Sequence, residues 1–404
     1  MNYIIIGGGI AGTTAAEELR KLDVTAHITI VSEEQHAIYS RVLLPHYIKN
    51  KIPRERVFLK KSGGAGSGSA GESWYAQQKI EWARGEIVVK IDPKNQHVVL
   101  ESGREISYEK LLIATGGEVK LFKDDLKGVS YFRTLDDADH LLELVHALPS
   151  SAHAAIYGGG FIACEYLNIF HAFHIPTTII FRGEHMWSHG ISKEAGEILK
   201  QHLEKNNVEV FSNTHLTQLI GDKTLEAIET TNGTFSCNLL GVGIGIDSNF
   251  SCAREAGVEV KEGIVCDQYL ETNLSNIFTA GDVAEFYDPR YGRHIRAGNW
   301  MSAMTQGRIV AKNMFGEKHA FDLVSSYATN ALGLEIIFIG DTSREAAQET
   351  RLFGSIESGG ISEIFVRNNQ IVGAILIGRN TDRPILTKLI SEKADPEKFE
   401  MIDK

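Results

Sequence analysis

Short apolar runs alternate with amphipathic stretches along the first part of the chain. Tyr3–Ile6 is such a run, Thr13–Leu22 carries helical periodicity, and His27–Val31 is a second run. The order returns downstream as Ala155–Tyr157, a helical Phe161–Phe173 and Thr177–Phe181. Apolar runs without polar alternation fit parallel strands covered on both faces, and strand–helix–strand is the unit that builds such sheets. The chain therefore reads as α/β with a duplicated βαβ unit. From about Phe321 the texture changes. Ile336–Gly340, Ile361–Val366 and Ile371–Ile377 read as strands, with Asn368-Asn369-Gln370 as the turn between the last two. Pro384–Glu392 reads as a closing helix, its proline tolerable in the first turn. That segment is a small α+β module with no chemical motif of its own.

Both βαβ units turn through glycine. The first reads Gly7-Gly8-Gly9-Ile10-Ala11-Gly12, the second Gly158-Gly159-Gly160-Phe161-Ile162-Ala163. In this context the first glycine permits the tight turn, the second lets a pyrophosphate reach the backbone, and the third lets helix and strand pack closely. The helix N-terminus then offers free N–H groups and a partial positive charge to phosphate. Ala163 stands where the second unit would have its third glycine.

Composition narrows the classes. The 404 residues carry a net charge of −11, which disfavours a general nucleic-acid binder. No apolar run reaches the roughly 18 residues of a membrane span. Met1–Ile6 lacks the basic start of a signal peptide, so the reading is cytoplasmic. Glycine is abundant, at 39 residues, and part of the excess lies in Gly63–Gly71, a Gly/Ser/Ala stretch that reads as a flexible linker, natural or engineered. Cys164, Cys237, Cys252 and Cys266 form no CxxC or CxxxxC pair and read as small buried hydrophobes. His171, His174, His185 and His189 span a helix, a strand and a loop without supporting ligands, and no metal site is expected.

Four further segments resemble a known family. Tyr108–Gly117 resembles the ATG motif of two-dinucleotide flavoproteins, through Ala114, Thr115 and Gly116. Leu239–Gly245 is similar to their later strand and glycine turn, with Gly243 and Gly245. Thr272–Asp282 is similar to the motif ending in Gly281-Asp282, and Asn299–Arg308 resembles the helix that ends at the flavin. The chain is thereby identified as a member of the FAD-dependent pyridine nucleotide-disulfide oxidoreductases. Tyr39–Pro45 and Ile371–Gly378 resemble the rubredoxin/ferredoxin reductase and nitrite reductase flavin-domain branch.

The resemblance implies two Rossmann-like dinucleotide-binding domains of glutathione-reductase type and a small C-terminal α+β domain. The expected division is a FAD domain over 1–117, an NAD(P)H domain over 118–239, the rest of the FAD domain over 240–315, and an interface or lid domain over 320–404. FAD is the implied cofactor and NADH or NADPH the co-substrate. Gly7, Gly9, Ile10, Ala11, Gly12, Ala114, Thr115, Gly116 and Gly281 are expected to meet FAD, with Glu33 on a ribose, Asp282 on the ribityl chain and Val88 near the adenine or in the core. Arg41 is expected at the pyrophosphate or flavin edge, and Trp300 with its helix N-terminus at the isoalloxazine. Gly158, Gly160, Phe161, Ile162, Gly243 and Gly245 are expected around the nicotinamide dinucleotide, with Glu165 approaching the nicotinamide.

Departures from the family pattern matter as much. A disulfide-reducing relative needs a CxxxxC beside the flavin, and a cysteine-dependent peroxide reductase needs a thiol within Tyr39–Pro45. The chain has neither, so dithiol chemistry is not expected. Where NADH-preferring relatives carry an acid after the second strand, Phe181 and Arg182 stand here, with Glu184 slightly later. Arg182 favours a 2′-phosphate and Glu184 opposes one. The leading reading is hydride transfer from NAD(P)H to FAD, then electron delivery to rubredoxin, ferredoxin or a partner redox subunit. Arg290, Arg293 and Arg296 are a candidate basic patch for such a partner. Two alternatives stand open: a FAD-binding or NAD(P)H-responsive module with little catalysis alone, and cysteine-independent reduction of a small molecule or oxygen. The C-terminal module is also a candidate homodimer interface.

Overall fold

The structure, a computed structural model, describes residues 1–60, 71–122 and 126–403. The Gly/Ser stretch expected to be a linker lies outside the described residues apart from Gly71. The chain divides into two compact units: Met1–Leu43, Ile52–Glu118 and Asp247–Leu323 form the first; Leu44–Lys51, Val119–Ile246 and Val324–Lys404 form the second.

The first unit is built on β1 (Asn2–Ile6), α1 (Ile10–Leu22) and β2 (His27–Ser32). β1 is central in a five-stranded sheet, between β2 and Lys110–Ile113, with Ile80–Arg84 and Ile277–Thr279 at the edges. The pairs are parallel, and Ile4 sits opposite both Thr29 and Leu111. Ile4, Ile5 and Leu112 are fully buried because both faces are covered. On one face α1 buries Ala11, Ala15, Ala16 and Leu19 against Val310 and Met314 of the helix Trp300–Phe315. Small alanines let the two helices approach closely, and at the crossing Gly307 leaves no room for a side chain: an added Cβ would stand 3.1 Å from Thr14 Cβ and overlap the Ala11 carbonyl.

The second unit repeats the plan. Ala154–Tyr157 is central in a parallel sheet, between Thr177–Ile180 and Leu239–Val242, with Val208–Phe211 and Val129–Ser130 outside them. The second-motif helix, Phe161–Ala172, connects the first two strands. The fold is therefore α/β with two Rossmann-like sheets. The C-terminal residues of this unit form an antiparallel five-stranded sheet in the order 326–331, 334–340, 370–377, 360–367, 349–355. Asn368 and Asn369, at φ 50 and 58, form a two-residue turn between strands paired at Arg367 and Gln370. Positive φ at both turn residues matches the twist of a hairpin, and Asn tolerates it. The helix Arg383–Ser391 covers this sheet with Leu386, Leu389 and Ile390.

Candidate dinucleotide sites

In the first unit the chain leaves β1 through Gly7, at φ +114. A Cβ there would lie 2.6 Å from the Ala114 carbonyl carbon and overlap its oxygen. Gly8 is equally confined, since a Cβ would fall 2.7 Å from Ser32 Oγ. At Gly12 it would overlap the Gly7 carbonyl. Gly9 differs: nothing lies within 4 Å of its missing Cβ. Of the four glycines in this turn, Gly9 alone is unconfined.

That open side faces a cavity lined by Gly8, Gly9, Ile10, Ser32, Glu34, His36, Tyr39, Arg41 and Trp300. Arg41 Nη2 donates to Glu34 Oε1 at 2.5 Å, and the Tyr39 hydroxyl donates to Glu34 Oε2. Burial disfavours the Arg41 charge, but Tyr39 and Glu34 outweigh it, and Asp282 adds to them, so its pKa is raised. Arg41 is therefore a fixed cation at the glycine turn.

The other expected residues distribute as follows. Glu33 is exposed and does not line this cavity, whereas its neighbour Glu34 does. Burial and the Glu118, Glu34 and Glu101 charges hold the Glu33 carboxyl above the usual range. Val88 is buried in the apolar cluster of Ile4, Ile6 and Val31. Ala114 is buried, Thr115 exposed, and Gly116 adopts φ +69. Gly281, at φ +85, donates its N–H to Gln306 Oε1 at 2.7 Å. The Asp282 carbonyl accepts from Arg296 Nη2 at 2.9 Å. Trp300 opens its helix, where Asn299 Oδ1 accepts from Ser302 N at 3.0 Å. The basic patch is partly neutralised: Arg290 pairs with Asp288 and Asp322 and is mostly buried. Gly8, Ser32, Glu34, His36 and Tyr39 are cavity residues that spacing alone does not single out.

In the second unit Gly158, at φ +138, plays the part of Gly7: a Cβ would sit 2.7 Å from the Gly243 carbonyl carbon. Ala163 is fully buried, so the helix accommodates a methyl where the first motif has Gly12. Phe161 is exposed at the first helical position and Ile162 is half-buried behind it. A Cβ at Gly243 would touch Ile162 and the Ala163 nitrogen at 3.2 Å, and Gly245 is open with φ +105. Glu165, one turn into the helix, is half-buried; burial pushes its carboxyl up, and the Lys49 charge opposes that rise. A second cavity, beyond the strand Thr177–Ile180, is lined by Glu184, His185, Lys193 and Lys200 among others. Arg182 is exposed and is not part of its lining.

Helix starts differ in how they are capped, and those at Glu72, Ser251 and Arg383 also lack a side-chain cap. Thr134, Ser192 and Asn299 cap their helices through side-chain oxygens, whereas the α1 and second-motif helices begin at Gly9 and Gly160 without a side-chain cap. Uncapped first-turn N–H groups are available to an anion. Thiols are absent from the lining of both cavities. Burial raises the pKa of Cys164, Cys237, Cys252 and Cys266, to about 12 at Cys237.

The pyridine nucleotide-disulphide oxidoreductase family model matches residues 1–307, and the chain belongs to that family. The chain is 26% identical to the nitrite reductase [NAD(P)H] of Bacillus subtilis, over 97% of this chain and 47% of that protein, so it spans about half of that relative's length. It is also 26% identical to the ferredoxin–NAD(+) reductase component of the p-cumate 2,3-dioxygenase system of Pseudomonas putida, over 98% of this chain and 95% of that protein. The ferredoxin reductase for the CYP199A2 system of Rhodopseudomonas palustris shares the fold: TM-score 0.85, 23% identity, 98% of this chain and 95% of that one. Members of this family use FAD and NAD(P)H. The residues present fit both groups: two Cβ-intolerant turns, each opening at its second glycine onto an uncapped helix. Among the described residues, no helix is long and apolar enough to cross a membrane.

Proposed function

We propose that the chain is a FAD-dependent NAD(P)H oxidoreductase that passes electrons to a protein acceptor, either a small iron–sulfur protein of the rubredoxin or ferredoxin kind or a partner redox subunit. One observation carries the reading: a packed glycine turn opens only at Gly9, into a thiol-free cavity that holds Arg41 and Trp300. When bound, FAD accepts a hydride and can release electrons one at a time, which no side chain of this chain does.

On this reading Gly7, Gly9, Ile10, Ala11 and Gly12 seat the FAD pyrophosphate, and Arg41 neutralises it. Glu34, which lines the cavity, joins Glu33 as a candidate for the ribose. Ala114, Thr115, Gly116, Gly281 and Asp282 border the rest of the cofactor, and Trp300 shields its reactive face from water. Gly158, Gly160, Phe161, Ile162, Gly243 and Gly245 seat NAD(P)H, Arg182 and Glu184 set the preference between its two forms, and Glu165 stands near the nicotinamide with Lys49 as its counter-charge. Residues 320–404 act as an interface or lid domain, and the protein is cytoplasmic.

Anaerobic titration of the FAD-reconstituted protein with NADH and with NADPH, followed by a screen of rubredoxin and ferredoxin acceptors, tests the proposal. Rapid bleaching of the visible flavin band and reoxidation by an iron–sulfur protein are expected. Failure to take up FAD refutes the proposal. Uptake with very slow bleaching by both nucleotides favours the non-catalytic module instead.

A further inference from the structure

Trp187, in the loop after the strand Thr177–Ile180, is held in a way that folding alone does not favour. Its φ is +48, a left-handed conformation that a bulky residue adopts only when its surroundings impose it. The surroundings are explicit. Trp187 N donates to the Gly159 carbonyl at 2.9 Å, and the Trp187 carbonyl accepts from Gly190 N at 2.6 Å and Ile191 N at 3.1 Å. The ring stands edge-on to Phe161 at 5.2 Å and is tilted against Phe338 at 5.8 Å. The indole is thus tied to the glycine turn through the backbone and wedged by two aromatic rings.

Its nitrogen has no such support. Nε1 is buried and has no hydrogen-bond partner. An indole N–H can only donate, so a buried one without an acceptor weakens the folded state. This orphan lies 3.9 Å from where a Cβ of Gly160 would be. Gly160 is the second glycine of the motif and the uncapped start of the second-motif helix.

We propose that the Trp187 indole N–H is a recognition donor for the diphosphate of NAD(P)H, hydrogen-bonding a phosphate oxygen as it settles over Gly160. This rests on the reading of the second glycine turn as the NAD(P)H site. The helix N–H groups and the indole then converge on one anion, the ring being held in place by Phe161 and Phe338. A neutral donor at the diphosphate is indifferent to the 2′-position. Trp187 therefore sets affinity for both nucleotides, unlike Arg182 or Glu184.

The test uses the FAD-loaded full chain and Trp187→Phe, which keeps an aromatic ring and deletes the donor. The probe is ADP-ribose, which carries the diphosphate without nicotinamide, titrated calorimetrically beside steady-state kinetics. Trp187→Phe is expected to raise the ADP-ribose Kd about tenfold, the effect of one lost hydrogen bond to a charged group. KM for NADH and for NADPH should rise by that same factor with kcat unchanged. The flavin spectrum should match the parent and Tm should not fall, since the variant removes a buried donor that had no partner in the folded chain. An unchanged ADP-ribose Kd in Trp187→Phe, beside normal binding by the parent, overturns the role of Trp187. If the parent binds neither ADP-ribose nor NADH, the reading of the turn fails, and the role falls with it.

Discussion

Replacing Gly7 and Gly9 by alanine, one at a time, separates two kinds of glycine in one motif. At Gly7 the new methyl would stand 2.6 Å from the Ala114 carbonyl carbon and overlap its oxygen. An ordinary carbon–carbon contact is about 3.5–4.0 Å, so the two backbones must part by about 1 Å. They are not free to do so. Gly7 N bonds the Val31 carbonyl at 2.8 Å and Ala114 N bonds the Ile6 carbonyl at 2.8 Å, which ties the first segment to β2 and the second to β1. Overpacking of this kind costs about 1–3 kcal/mol, and left-handed φ for alanine about 1–2 kcal/mol more. A total near 3 kcal/mol corresponds to a Tm loss of roughly 6–12 °C for a unit of this size. At Gly9 the methyl meets nothing within 4 Å, so Tm without flavin should stay within about 1 °C of the parent. Gly9→Ala should instead weaken FAD binding at least tenfold, about 1.4 kcal/mol, because the methyl occupies the approach to the backbone. Thermal unfolding of the flavin-free proteins and flavin-fluorescence titration read the two effects. Equal Tm losses in both variants, or parental FAD affinity in Gly9→Ala, would refute the division of labour.

Three further outcomes are expected. Arg41→Ala should change stability by less than about 1 kcal/mol, because its pair with Glu34 is partly exposed, yet weaken FAD binding about tenfold or more through the lost cation; equilibrium unfolding and flavin titration measure the two. Burial raises the folded-state pKa of Glu165, so its contribution to stability is full below the unfolded value near 4.5 and is lost as pH rises through the folded value. Glu165→Gln should therefore gain Tm relative to the parent as pH rises above 4.5, and Lys49→Met, which removes the opposing charge, should carry the parental loss to higher pH. Under native conditions Cys164, Cys237 and Cys266 should resist Ellman's reagent because they are buried with raised pKa values, and alkylation should leave NAD(P)H-dependent dye reduction unchanged. Loss of dye reduction on alkylation would instead point to a thiol mechanism.

The duplicated βαβ plan is legible in the chain because its signals are local: unbroken apolar strands, glycines at fixed offsets and a helical period. The helix reading of Thr13–Leu22 begins three residues late, since Ile10–Gly12 are helical although their small, apolar composition matches the turn as well as the helix. Ser326–Ala331 and Glu349–Ser355 escape a hydrophobic-pattern reading because they are the two edges of the C-terminal sheet, partly exposed and rich in polar residues. Glu33 and Glu34 follow the last residue of β2, and spacing cannot separate neighbours there; only the cavity wall distinguishes them. Trp187 gives no sequence signal, because its placement depends on a left-handed loop residue and on the Phe338 ring, more than a hundred positions away. The Arg290 pairing was equally hidden, since Asp322 comes from beyond the helix Trp300–Phe315.

The late return of the chain to the first sheet has a consequence for how the protein is made. The strand Ile277–Thr279 is the edge partner of Lys110–Ile113, and the helix Trp300–Phe315 covers α1. Both arrive on the ribosome after the whole second βαβ unit, at about 5–20 residues per second. For that interval α1 has no cover for Ala11, Ala15 and Ala16, and the cavity beside Gly9 lacks its Trp300 wall. The nascent first unit is thus a half-built sheet that waits through the synthesis of its neighbour. On the proposed reading, flavin capture waits for the helix Trp300–Phe315, and a ribosome that stalls between residues 247 and 300 leaves a chain with an open apolar face, the kind of species that chaperones and proteases remove.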